Sequence, residues 1–175
     1  MAEMSIGKLD AARRQLETAV HLYFSESDPV AIHTLTAAGH QLLSDLNKSR
    51  AGTPMFVESI LQRILPDQVG EAKRRINKAA NSFKHADRDP GQVHLFDPDQ
   101  TEFMLVDACY KYKDLTGELV PALVVYTAWF WLGPGAKFVD VTQTKSIDQF
   151  RAAFPGETKG SFFKKVLPMV SRLAL

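Results

Sequence analysis

Apolar residues recur every three to four positions along most of the chain, and prolines and glycines cut that pattern into helix-length pieces. The first piece carries Leu9, Ala12, Leu16, Val20 and Tyr23 or Phe24 on one side and Lys8, Arg13, Arg14 and Glu17 elsewhere, which predicts a helix over about Ser5 to Phe24. Asp28-Pro29 is a start signal, because the aspartate accepts from early helical N–H groups and proline at the first helical position has no N–H to leave unpaired. The second helix then shows Ile32, Leu35, Gly39, Leu42 and Leu46 as its stripe and ends between Asn47 and Gly52. Thr53-Pro54 repeats the device and opens a short helix with Phe56, Val57, Ile60, Leu61, Ile64 and Leu65, stopped by Pro66.

Asp67 is the expected cap of a fourth helix, whose apolar stripe is Val69, Ala72, Ile76, Ala79, Ala80 and Phe83. Arg74, Lys78, Asn81 and His85 fall on its opposite side, and Asp89-Pro90-Gly91 is the expected stop. After a loop from Pro90 to Phe96, Asp97-Pro98 with Gln100 starts a fifth helix that Gly117 closes. Leu119 to Leu132 reads as a sixth, apolar nearly all round and ended by Gly133-Pro134-Gly135. Lys137 to Thr144 is a short extended segment, Ser146 with Gln149 opens a short helix to Phe154, and a last helix runs from Lys159 to Leu173 with a bend expected at Pro168. The prediction is an all-α, single-domain bundle of about six to eight helices over 1–175, with a core at about 5–133 and a C-terminal helical extension at 145–175.

Composition narrows the functional classes without choosing one. At 175 residues, 45% hydrophobic and 23% charged, the chain has the profile of a globular domain rather than a disordered or fibrous one. A net charge of +1 gives no global attraction to polyanions, so nucleic-acid binding needs a local basic patch. Cys109 is the single cysteine, which leaves a cysteine-based zinc site without partners. Met1 to Asp10 lacks the apolar run of a signal peptide, and Leu119 to Leu132 falls short of the ~20 residues that cross a bilayer, so a cytoplasmic protein without membrane attachment is expected.

Glycine-rich phosphate loops, serine elbows and paired-cysteine motifs are missing from the sequence, which leaves histidines and basic residues as the candidate chemistry. His33 and His40 lie seven apart on one side of the second helix. With His85 and a carboxylate such as Asp87 or Asp89 they would form an N/O site for a divalent transition metal; otherwise they are boundary histidines hydrogen-bonded to backbone or side chains. The alternative chemistry uses the one basic patch: Arg74, Lys78, Asn81, Lys84 and Arg88, with Arg75 beside them, hold phosphate or RNA backbone while His85 moves a proton. That stretch is equally a solvated face whose cations pair with Asp87 and Asp89. Tyr110 and Tyr112, interleaved with Lys111 and Lys113, point in different directions on a helix and read as core or interface.

The helical order, with a polar helix ending in Asn81-Ser82-Phe83-Lys84-His85-Ala86-Asp87, resembles the HEPN superfamily and related bacterial helical proteins over about Leu9 to Leu132. The ribonucleases of that family share an arginine followed by four to six residues and a histidine, commonly used across a dimer interface. His85 matches the histidine, but the arginine positions hold Ala80, Ala79 and Lys78, with Arg74 and Arg75 too far upstream. The resemblance therefore implies RNA or nucleotide binding without efficient cleavage and no required cofactor. Together with the apolar sixth helix it also implies a homodimer. A metal-binding bundle and a non-catalytic protein-interaction module are the alternatives.

Overall fold

A computed structural model describes residues 3–61, 67, 69–85, 87, 90–133, 149 and 152–173. Among them are seven helices and no strand: α1 (Lys8–Phe24), α2 (Pro29–Ser49), α3 (Phe56–Leu61), α4 (Val69–Ser82), α5 (Asp99–Thr116), α6 (Pro121–Leu132) and α7 (Lys159–Leu173). The protein is all-α, as the periodicity predicts. The expected stop at Pro66, the extended segment 137–144, the capping pair at Ser146 and the residues Arg88 and Asp89 lie outside the described residues, as do the side chains of Val57, Ile60, Leu61, Val69, Ala72 and Arg75.

Helix α2 is the centre of the arrangement, packed between α1 on one side and α5 on the other. Its two faces differ in chemistry. Leu35, Gly39 and Leu42 turn toward α1, where a Cβ on Gly39 would lie 2.9 Å from Leu16 Cγ and 3.4 Å from the Ala12 carbonyl, so the glycine is what lets the two helices approach. His33, Thr36, Ala37, His40, Ser44 and Asn47 form the second stripe at helical spacing, and five of the six are buried. The sequence pattern puts Ile32, Leu35, Gly39 and Leu42 on a packed face but leaves out Leu43, which is fully buried, and reads the histidines as boundary residues; His33 is in fact fully buried. An amphipathic reading assumes one packed face, and a helix sandwiched between two neighbours has two.

The start and stop signals work unevenly. Asp28 Oδ1 accepts from the Ala31 N–H at 2.9 Å with Pro29 in the first turn, as expected. Thr53 does not cap α3, which begins two residues beyond Pro54. The Glu58 carboxylate instead accepts the Met55 N–H at 3.1 Å, and Asp107 of α5 accepts the Phe56 N–H at 2.8 Å. Helix α5 starts one residue later than its proline suggests, with Pro98 outside the first turn and Asp97 Oδ1 accepting from the Asp99 N–H at 3.0 Å. Gly117 closes it at φ 74°, in the left-handed conformation that glycine adopts without strain. Pro121 occupies the first turn of α6, and Gly133 follows its last residue.

Helix α4 ends at Ser82, not at the aspartate-proline seven residues on. The Phe83 and His85 N–H groups still bond back to Ala79 and Asn81, but in a turn rather than a continued helix. Asn81 and Ser82 are weak helix formers, and Phe83 is drawn inward edge-on against His33 and Phe96, at 5.9 and 5.2 Å between ring centroids.

Helix α6 is covered from three sides by α1, α5 and α7. Phe162 of α7 is fully buried between Phe24, Trp129 and Phe154, so the C-terminal helix is part of the main apolar cluster and not an appendage to it. The Thr158 and Ser161 side chains each accept the other's backbone N–H, at 3.2 and 2.9 Å, a reciprocal cap that fixes where α7 begins.

Candidate functional site

Two polar regions flank α2, one buried and one exposed. The buried one is the seam between α2 and α5. His33 Nδ1 lies 2.9 Å from the Thr101 hydroxyl, and His40 Nε2 lies 3.0 Å from Asp107 Oδ2. Below them the Ser44 hydroxyl donates to Glu58 at 3.0 Å, and the Asn47 amide and the Lys111 ammonium both donate to the Thr53 carbonyl at 2.8 Å. Burial pushes the Glu58 carboxyl up, but the Met55 N–H, the Ser44 hydroxyl and Lys48 outweigh it and hold the group below its ordinary value.

This seam is a continuous scaffold that ties the 50–58 connection to α2 and α5. Asp107, absent from the sequence reading, and Lys111, named there only beside the tyrosines, are at its centre. Their signal was available: a carboxylate and an ammonium four apart on a helix whose neighbours Leu105, Val106, Ala108, Cys109 and Tyr112 are all apolar and buried. Charges buried at that spacing require partners on a neighbouring element.

The metal reading separates on this geometry. His33 and His40 face α5 through different partners, one a hydroxyl and the other a carboxylate, while His85 stands in the turn after α4 with its Nδ1 3.9 Å from Asp87 Oδ1. No group of three histidine, cysteine or carboxylate side chains among the described residues is arranged to hold a metal ion. The boundary-histidine alternative describes His40, whose partner is a side-chain carboxylate.

The exposed region is the outer face of α4 and its C-terminal turn. Arg74, Lys78 and Asn81 on the helix and Lys84 and His85 in the turn are all exposed, whereas Ala79 and Ala80 on the inner side are 1% and 5% exposed against the body of the protein. The structure therefore keeps the four helical and turn residues of the predicted stripe on the outside. His85 reaches that side through the turn, since the helix has already ended. Behind the turn, Phe83, His94, Phe96 and His33 form a chain of edge-to-face rings with centroids 5.0–6.1 Å apart. That cluster anchors Lys84 and His85 to α2. His33 inside it is held to about 4, well below the ordinary histidine value, first by burial and then by the nearby Lys84 and His94 charges.

A third region, unanticipated from sequence, is a cleft of about 260 Å³ where the α1–α2 turn meets the starts of α5 and α7. Tyr23 donates to Glu102 at 2.6 Å there, and the Lys159 ammonium sits 4.0 Å above the Tyr23 ring. Burial and the adjacent Glu102 carboxylate raise the Tyr23 phenol above its ordinary range, so it stays a donor. Tyr112 is buried with its hydroxyl on Glu118 at 2.7 Å, a core position, whereas Tyr110 is exposed and accepts from the Trp131 indole at 2.7 Å. No helix among the described residues is long and apolar enough to cross a membrane. Comparison with protein-family models, curated proteins and solved structures finds no match.

Proposed function

We propose that this chain is an RNA- or nucleotide-binding helical protein that holds phosphate on the outer face of α4 without cleaving the strand. The observation that carries the reading is the sidedness of α4: Arg74, Lys78, Asn81, Lys84 and His85 are exposed together while Ala79 and Ala80 are packed. Cations in a row along one helix neutralise successive phosphates and release their counterions, and the Asn81 amide adds a neutral donor.

Cleavage in the HEPN manner requires an arginine beside the histidine. The positions at the family spacing hold Ala80 and Ala79, which face the interior, and Lys78, which faces solvent on the helix while His85 lies beyond its end. An inward-facing position would not present an arginine to a strand bound outside, so His85 lacks the partner it would need as one half of a catalytic pair.

Fluorescence anisotropy with a labelled RNA oligonucleotide, titrated at several salt concentrations, tests this. Wild type should bind at low salt with affinity falling linearly in log salt. A variant combining Arg74→Ala, Lys78→Ala and Lys84→Ala should bind more weakly, with a slope shallower by about 0.7 for each phosphate that is no longer neutralised. His85→Ala should bind nearly as wild type, and no cleavage products should accumulate with either protein. Absence of binding at low salt, or a triple variant that binds as wild type does, overturns the reading and leaves a protein-interaction module as its replacement.

A further inference from the structure

Four threonines inside the helices of this protein share one habit, and Thr36 does not follow it. Thr18, Thr34 and Thr116 each donate to the carbonyl four residues back at 2.8 Å, and Thr127 does so at 2.9 Å. Thr36 lies in the middle of α2 with the Ile32 carbonyl in the same relation, yet its hydroxyl is fully buried and has no hydrogen-bond partner among the described residues. One turn earlier on the same face, His33 is equally buried, with Nδ1 on Thr101 and Nε2 without a partner. Two buried polar atoms left unpaired on adjacent turns of one helix would each cost ~1–3 kcal/mol.

We infer that His33 Nε2 and the Thr36 hydroxyl together form an internal binding site for one small polar guest, a single water molecule that bridges them. Side chains three apart on a helix are neighbours on one face, and a water at ~2.8–3.0 Å from each of two polar tips bridges tips that are up to ~5–6 Å apart. The surroundings suit a held rather than an exchanging molecule. Ala37, next to Thr36 in the chain, packs with Ala80 and Met104 in a buried apolar cluster, and the rings of Phe83 and Phe96 lie edge-on to His33. The histidine is neutral at physiological pH, since burial holds it to about 4, so one ring nitrogen carries a proton and the other accepts. The water completes a chain from Thr101 through His33 to Thr36 that crosses from α5 to α2, directly beneath Phe83. Its role is positional: it fixes the plane of the His33 ring, against which the turn carrying Lys84 and His85 is packed. That role is the same whatever the turn binds.

Two substitutions and two direct observations test it on the full-length chain. A high-resolution crystal structure should show an ordered water between the two atoms, and in solution the Thr36 methyl should show a nuclear Overhauser effect to a long-lived water. Thr36→Ser keeps the hydroxyl and should keep the water, with only the small loss of stability that deleting one buried methyl brings. Thr36→Val keeps the shape, removes the hydroxyl, and should lose the water signal, shift the ¹⁵N resonance of His33 Nε2 and lower the melting temperature by several degrees. A wild-type structure in which Thr36 donates to the Ile32 carbonyl with no water beside it overturns the inference. A Thr36→Val protein that melts higher than wild type does the same, because removing a truly unpaired hydroxyl relieves the protein.

Discussion

Charging His33 places a cation in a site where no carboxylate among the described residues receives it. The charged groups that act on the ring are Lys84 and His94, both basic, while Asp99 and Glu102 of α5 line the Tyr23 cleft and Asp107 is turned to His40 and the Phe56 N–H. The folded protein therefore favours the neutral ring, at about 4 against the ordinary 6.5. The sign follows from linkage: below the unfolded value the unfolded chain takes up the proton first, so stability is complete above pH ~6.5 and falls as the pH drops toward ~4. The loss amounts to ~3 kcal/mol at most, at ~1.4 kcal/mol per unit. Urea midpoints measured at pH 7.5 and pH 5 should differ for wild type, and the difference should shrink in His33→Gln. An unchanged pH dependence in that variant would assign the loss to other groups.

At the scale of elements, the approach of α1 to α2 depends on a missing side chain. Alanine at position 39 would gain ~1 kcal/mol of helix propensity but force its methyl to within 2.9 Å of Leu16 Cγ, an atom in the fully buried core. Overpacking of this kind costs ~1–3 kcal/mol, so Gly39→Ala should be net destabilising by about 1 kcal/mol, as thermal unfolding followed by circular dichroism would report. A rise in melting temperature would mean that Leu16 repacks freely. The capping of α3 makes a related point about distance in the chain. Thr53-Pro54 has the form of a local start signal, but the N–H groups it would serve are taken by Glu58 within the helix and by Asp107 on α5. The carbonyl of Thr53 is used as an acceptor for Asn47 and Lys111.

For the whole molecule, the apolar α6 raised the question of what covers it, and a second copy of the chain was one answer. Helices α1, α5 and α7 do most of that covering within one chain. The aromatic junction is where they meet: Phe24, Tyr126, Trp129 and Phe162 pack at 5.1–6.4 Å between centroids. Phe162→Ala should open a cavity at that junction and cost ~3–5 kcal/mol, detectable as a lowered denaturation midpoint and loss of near-ultraviolet circular dichroism. A midpoint within experimental error of wild type would show that α7 contributes little to the core. Helix existence, the Asp28 cap, the Gly117 and Gly133 stops and the limits of α7 are consequences of local propensity and short-range hydrogen bonds, and the sequence alone determined them. Local rules likewise put Arg74, Lys78 and Asn81 opposite Ala79 and Ala80. Tertiary packing decided what local rules could not reach. It buried a second face of α2, paired His40 with Asp107 and His33 with Thr101 across more than sixty residues, and ended α4 early by drawing Phe83 inward. Those outcomes depend on which side chains meet between elements, and a repeat of 3.6 residues carries information about one helix at a time.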